Sequence, residues 1–270
     1  MSTVPEILET SADKPIRVER DGGILTLTNA DAPINRMTLA FMDQLEDLIA
    51  AAAEDASIRV IVLTAEGETN FSVGMDLKQL ASVKPENQDA LFDQRLRVES
   101  MIENLEKPVI VTLFGYCLGG GLELPLACHF RLAAEEGAKI GLPEMDLGAV
   151  PAWGGTARLT RCVGRDQALN MILRAKMIDG PEAYRIGLVQ EVHPLAELKN
   201  AAHALAQELE RMPPIAVAGV LRAVVGAGDA PLEEALRVER EAVHRCAKSK
   251  DQREGMMAFL QKRKPVFTGE

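Results

Sequence analysis

Aromatic residues are scarce in this chain: one tryptophan, two tyrosines and seven phenylalanines make up 4% of its 270 residues. Aliphatic side chains must therefore fill the core. The 47% hydrophobic content supplies enough of them for a full core without covalent or metal staples. Cysteine is also sparse. Cys117, Cys128, Cys162 and Cys246 form no C-x-x-C pair and have no histidine at metal-ligand spacing. They read as reduced, mostly buried thiols, and no metal site is expected. Positive charge is in deficit, with 30 basic against 40 acidic residues and a formal balance of −10. That excludes broad contact with a nucleic-acid backbone, which needs clustered cations, but leaves room for one anionic small ligand on a local basic patch. Long apolar runs are missing too. The most apolar stretch, Pro108 to Leu122, is fifteen glycine-broken residues, too few to span a bilayer. The opening MSTVPEILETSADKP lacks the basic and apolar regions of a signal peptide. A soluble, cytoplasmic protein without membrane or nucleic-acid partners is expected.

What is present has a regular order. IRVERDGGILTLTNA predicts two short strands about the turn at Asp21-Gly22-Gly23. In MTLAFMDQLEDLIAAAAEDA, Phe41, Leu45, Leu48 and Ile49 recur at helical spacing. RVIVLTAEG and PVIVTLFG are β-branched runs suited to strands covered on both faces, separated by a helix near Ala90 to Glu106. GLELPLACHFRLAA reads as helical, AKIGLPEMDLG holds a short extended piece, and a helix is predicted over Thr156 to Val163. The alternation points to an α/β fold with parallel, covered strands. Beyond about Glu197 every segment is helical. The predicted division is a core over 1–195 and a helical region over 196–270.

Four segments carry the candidate chemistry. In FSVGMDL, Gly74 permits a turn that aims the Met75 amide at a ligand oxygen, and Asp76 is placed to cap the next helix. An ordinary strand-to-helix turn fits the same residues. In YCLGGGLELPLAC, three glycines lead into a helix start whose free amides suit an oxygen that gains negative charge. Neither G-K-[ST] nor G-x-G-x-x-G is present, so phosphate-loop signatures are missing. Close packing alone would also use such glycines. Glu123 then stands in an otherwise apolar segment, where a carboxylate is costly unless paired, solvated or functional. Glu144, in GLPEMDLG, is a second such acid. Two carboxylates facing one pocket would form a general acid–base couple. PAWGGTARL adds a second glycine-rich turn and the lone Trp153, a core filler or a pocket wall.

In this order, FSVGMDL, GYCLGGGLEL, LPEMDLG, PAWGGTARL and the basic FLQKRK resemble the crotonase superfamily, the enoyl-CoA hydratase/isomerase family, over about Ile16 to Phe267. The resemblance implies a spiral of repeated β-β-α turns with a helical C-terminal region that builds trimers or dimers of trimers. It implies an acyl-CoA substrate and no separate cofactor, because coenzyme A belongs to the substrate. By the same resemblance, the amides of Met75 and Gly120 form an oxyanion hole, and Glu123 and Glu144 are the catalytic acids. Ala152 and Trp153 lie by the attacking water, and Asn35, Arg36, Met37, Asp76, Phe259 and Lys262 contact CoA. The implied reaction is hydration of a 2-enoyl-CoA, with a Δ3,Δ2-enoyl-CoA isomerase as the alternative because that activity generally needs one carboxylate. His129, where Asp is frequent, is the one hint of C–C bond hydrolysis or cleavage, against a plain helix-face histidine. A noncatalytic RNA-binding branch of the superfamily depends on a lysine-rich helix, whereas the helix near Ala90 to Lys107 is not basic.

Overall fold

A computed structural model describes Leu8 and residues 14–228 and 230–270. Most of the polar leader, and with it the question of a signal peptide, lies outside the described residues. The chain begins with strands β1 (Ile16–Asp21) and β2 (Ile24–Asn29), then helix α1 (Leu39–Glu54) and strand β3 (Val60–Ala65). Helices α2 (Leu77–Ser82) and α3 (Pro85–Glu103) follow, then β4 (Val109–Leu113), β5 (Tyr116–Leu118) and α4 (Gly120–Ala127). Next come β6 (Phe130–Ala134), β7 (Lys139–Gly141), a 3-10 turn at Glu144–Leu147, α5 (Gly155–Val163), α6 (Arg165–Leu173), α7 (Gly180–Arg185) and β8 (Glu191–His193). Helices α8 (Leu195–Glu210), α9 (Pro214–Leu221), α10 (Leu232–Cys246) and α11 (Lys250–Leu260) complete it.

The main sheet has the order β1-β2-β3-β4-β6-β8, and β5 pairs with β7 in a small second sheet. Among the named strands of the described residues, β1 and β2 pair antiparallel and the other strand pairs are parallel. All residues of β3 and β4 are buried, as their β-branched composition requires of strands covered on both faces. Thr38 caps α1 by accepting from the Phe41 amide, and the buried face of α1 includes the four apolar positions read from its spacing. The protein is thus a mixed α/β fold with a helical C-terminal region. No described helix is long and apolar enough to cross a membrane.

Two expectations change. The segment read as one helix from Gly121 to Ala134 is helix only to Ala127, and FRLAA is β6. The His129 amide donates to the Val109 carbonyl, starting a ladder in which Phe130 pairs with Ile110. Tertiary pairing overrides the local helical pattern. Helix α3 starts five residues early because Pro85 occupies its first turn, where a missing N–H costs nothing. Helix α8 contributes Leu198, Ala202 and Ala206 to the buried core. Of the four cysteines, Cys117 and Cys128 are buried and Cys162 and Cys246 half-buried, all as free thiols.

Candidate active site

Two glycine-rich turns, one after β3 and one after β5, meet at Gly74 and Gly120. The first, Phe71 to Asp76, is tied down by backbone bonds. The Phe71 amide donates to Phe114 (2.8 Å), Met37 to Gly74 (2.9 Å) and Asp76 to Met37 (3.1 Å). Gly74 has φ +92, and a Cβ there would stand 2.7 Å from the Leu118 carbonyl oxygen and 3.6 Å from the Gly120 nitrogen. Only glycine lets the two turns pass this closely. The second turn opens α4 at Gly120, so its amides lie at the positive end of the helix. Neither the Met75 nor the Gly120 amide donates to another group among the described residues.

Glu123 sits in the first turn of α4 and is only 3% exposed. Its Oε1 accepts from the amides of Trp153 (2.8 Å) and Gly155 (3.0 Å), which is how the chain tolerates a buried carboxylate. Burial pushes its pKa up to about 7; the Trp153 amide opposes this, while the negative charge of Glu144 adds to it. Glu144 arrives from the β7 side at the head of the 3-10 turn. Burial raises its pKa, opposed by its own backbone amide. Its Oε2 is buried without a hydrogen-bond partner, and its Oε1 would stand 2.9 Å from a Cβ on Gly119.

Both carboxylates line one cavity of about 510 Å³, together with Met75, Gly120, Ala152 and Trp153. The remaining wall is mainly aliphatic, including Leu80, Leu118, Leu147 and Val150, with Phe92 from α3. Arg36, Asp76 and Lys78 also line it. The structure therefore brings together eight of the twelve residues expected at the site. Arg36 is held by Asp31 at 2.8 Å and by Asp76 at 3.3 Å, and Asp76 also caps α2.

Four expected residues stand elsewhere. The Asn35 side chain is fully buried and donates to the carbonyls of Glu66 and Asn70, so it braces two loops. Met37 packs in the core. These two belong to the scaffold beneath the cavity rather than to its wall, because their side chains turn inward on either side of Arg36. Phe259 is 83% exposed at the end of α11, and Lys262 follows it; neither lines the cavity. His129 also lies off the cavity: its Nδ1 accepts from the Val109 amide and its other ring nitrogen meets the Glu103 carbonyl. The hint of C–C bond chemistry is thereby replaced by a bracing role.

A polar layer missed in the sequence lies behind Glu123. Arg158 binds Glu99 at 2.6 Å, Glu103 at 2.9 Å and the Trp153 carbonyl at 3.1 Å. Burial, and then the charge of Glu123, pushes the Glu99 carboxyl well above the usual carboxylate range. The available signal was spacing: Arg95 and Glu99 share the helical stripe of Val98 and Ile102, where charge is out of place. No cluster of three His, Cys, Asp or Glu groups suited to a metal occurs among the described residues.

The sequence profile of the enoyl-CoA hydratase/isomerase family matches residues 19–270, and the chain belongs to this family of enzymes. It is 37% identical to a probable enoyl-CoA hydratase of Bacillus subtilis, over 93% of this chain and 97% of that protein. It is 33% identical to a short-chain-enoyl-CoA hydratase of Clostridium acetobutylicum, over 92% and 95%. The crystal structure of an enoyl-CoA hydratase from Bacillus anthracis superposes with a TM-score of 0.91 at 34% identity, covering 95% of this chain and all of that one.

Proposed function

We propose that the protein hydrates a 2-enoyl-CoA to the 3-hydroxyacyl-CoA. The observation that carries this reading is the convergence of two buried carboxylates, Glu123 and Glu144, and two unpartnered amides, Met75 and Gly120, on one apolar cavity. The amides are placed to donate to the thioester oxygen as it gains charge, polarising the conjugated double bond. Losing one such donor typically costs about 3 kcal/mol of barrier. Water then adds its oxygen to C3 while C2 receives a proton. Glu123, poised near neutral pH, accepts the proton that water releases, and Glu144 delivers the proton to C2. A transfer between the two carboxyls restores the starting state. Names of relatives point to the same reaction.

On the same reading, Arg36 and Lys78 at the cavity are placed for CoA phosphates, with Phe259 and Lys262 contributing from a neighbouring subunit of a trimer or a dimer of trimers. The direct test follows the enoyl-thioester absorbance of crotonyl-CoA in the presence of the protein. Loss of the band with 3-hydroxybutyryl-CoA as product supports hydration. An unchanged band across a panel of enoyl-CoA thioesters, with RNA retained instead, overturns it.

A further inference from the structure

One buried charge has no part in the proposed hydration. Arg95, on α3, has 0% of its surface exposed, yet forms no ion pair with any carboxylate among the described residues. Its neighbour one turn along the same face, Glu99, is taken by Arg158 at 2.6 Å. Arg95 Nη1 donates to the amide oxygen of Gln94 at 2.7 Å, and Gln94 in turn donates to Asp43 and Glu46. The opposite edge of the guanidinium is poorly served. Nη2 meets only the Met75 sulfur, at 3.7 Å, and the buried Nε has no partner. The plane lies 5.4 Å from the Trp153 ring centre. Burial pulls its pKa down only to about 10, so it stays charged at neutral pH.

Met75 and Trp153 are walls of the cavity, and Phe92, three residues before Arg95, is another. The under-satisfied edge therefore stands directly behind the wall that an acyl chain would reach. Asp43, Glu46 and Glu99 act on the guanidinium only from beyond ion-pair distance, so its Nε and Nη2 stay desolvated without a carboxylate in contact, and a thioether sulfur is a weak acceptor. The two oxygens of a carboxylate would satisfy Nε and Nη2 together in the two-pronged geometry that arginine favours. Met75 is unbranched and flexible, so its sulfur can yield the position that a ligand oxygen would take. We infer that Arg95 is a specificity residue that selects acyl groups ending in a carboxylate, received between Met75 and Trp153. This rests on the reading of the cavity as an acyl-CoA site.

The test compares 2-enoyl-CoA thioesters of matched length ending in a free carboxylate or in its methyl ester. The wild-type protein is expected to favour the acid by about a hundredfold in kcat/KM at the best chain length. Arg95→Met should bring that ratio to one or below, and Arg95→Lys should keep part of it, because charge remains but the planar fork is lost. Wild-type protein that turns over the ester as well as the acid at every length overturns the inference, whether or not the Arg95 variants fold. Calorimetric binding of the saturated acid and ester thioesters repeats the comparison without turnover. Failure of hydration with retained preference for the acid would sink the hydratase reading alone; hydration with no preference would sink the Arg95 role alone.

Discussion

The Glu123 carboxylate and the Trp153 backbone amide are joined by a hydrogen bond of 2.8 Å that links α4 to the turn before α5. The same turn is held from behind, where Arg158 donates to the Trp153 carbonyl. The peptide units on both sides of Trp153 are thus pinned, which fixes the carboxylate, the cavity wall and the ring against Gly120 as one unit. The consequences can be tested separately.

Replacing either acid by its amide should leave the fold in place and lower kcat by about a hundredfold or more, the usual scale of positioned acid–base catalysis. Glu123→Gln keeps an oxygen for the Trp153 and Gly155 amides, so any loss reports proton transfer more than position. Circular dichroism controls the fold. Near-normal hydration by either variant sinks the two-carboxylate mechanism. Dependence on Glu144 alone would favour the isomerase.

Glu123 titrates near 7 instead of at an ordinary 4.5. As the proposed base it must be ionised, so kcat/KM should fall as pH drops through about 7, and a pH–rate profile with its acidic limb near 5 would contradict the assignment. Stability should move the other way. The folded carboxyl binds its proton more tightly than the unfolded one, so its contribution is complete below about 4.5 and is lost as pH rises through about 7. The shift amounts to up to about 3 kcal/mol for this group. Glu123→Gln should remove that slope from urea midpoints measured between these pH values.

Arg158→Met should destabilise the protein by about 1–3 kcal/mol, because the buried Glu99 carboxyl, whose pKa burial already raises, loses its hydrogen-bonding partner and must hold a proton unpaired. Adding Glu99→Gln should recover part of that loss, since the deeply buried acid is then gone and only the half-buried Glu103 is left without its partner. Urea denaturation of the two single variants and the double variant gives the coupling directly. Strict additivity would show that the pair contributes nothing.

Much of this was legible because the relevant signals are local. The β-branched runs of β3 and β4 announce buried strands, and glycines before an acid in an apolar segment mark a tight turn with a carboxylate buried at a cavity. Other parts were hidden because they depend on what the chain meets later. FRLAA has no strand pattern of its own and becomes β6 only beside β4. Asn35, Arg36 and Met37 are consecutive, yet only Arg36 faces the cavity, since the irregular loop there obeys no period. Arg158 looks like an ordinary solvated cation until the fold buries it against α3, whereas Arg95 shows in the sequence only as a charge within the apolar stripe of α3.

The C-terminal cations give a prediction that depends on assembly. Within one chain Lys262 lies away from the cavity wall, and the adjacent Arg263 is committed to Glu254. If a neighbouring subunit receives Lys262, Lys262→Ala should raise KM for an enoyl-CoA severalfold with little change in kcat, as a contact equal in ground and transition states does. Pantetheine thioesters, which lack the nucleotide, should show no such effect. Equal losses for both substrates would make the residue structural.

Close packing between Gly120 and Trp153 gives a sharp test of geometry. A Cβ on Gly120 would stand 2.2 Å from Cζ3 of Trp153, inside any permitted contact. Gly120→Ala retains the amide that would meet the thioester oxygen, so its chemistry is intact and only the ring is in the way. We expect Gly120→Ala to lower kcat by about tenfold or more, as the turn or the ring shifts from its place. Gly120→Ala combined with Trp153→Ala should recover activity relative to Gly120→Ala alone, because the clash is gone. Gly120→Pro, which deletes the N–H, should gain nothing from Trp153→Ala. Rescue of the alanine variant without rescue of the proline variant separates the need for space from the need for the donor. Rescue of both would remove the Gly120 amide from the mechanism.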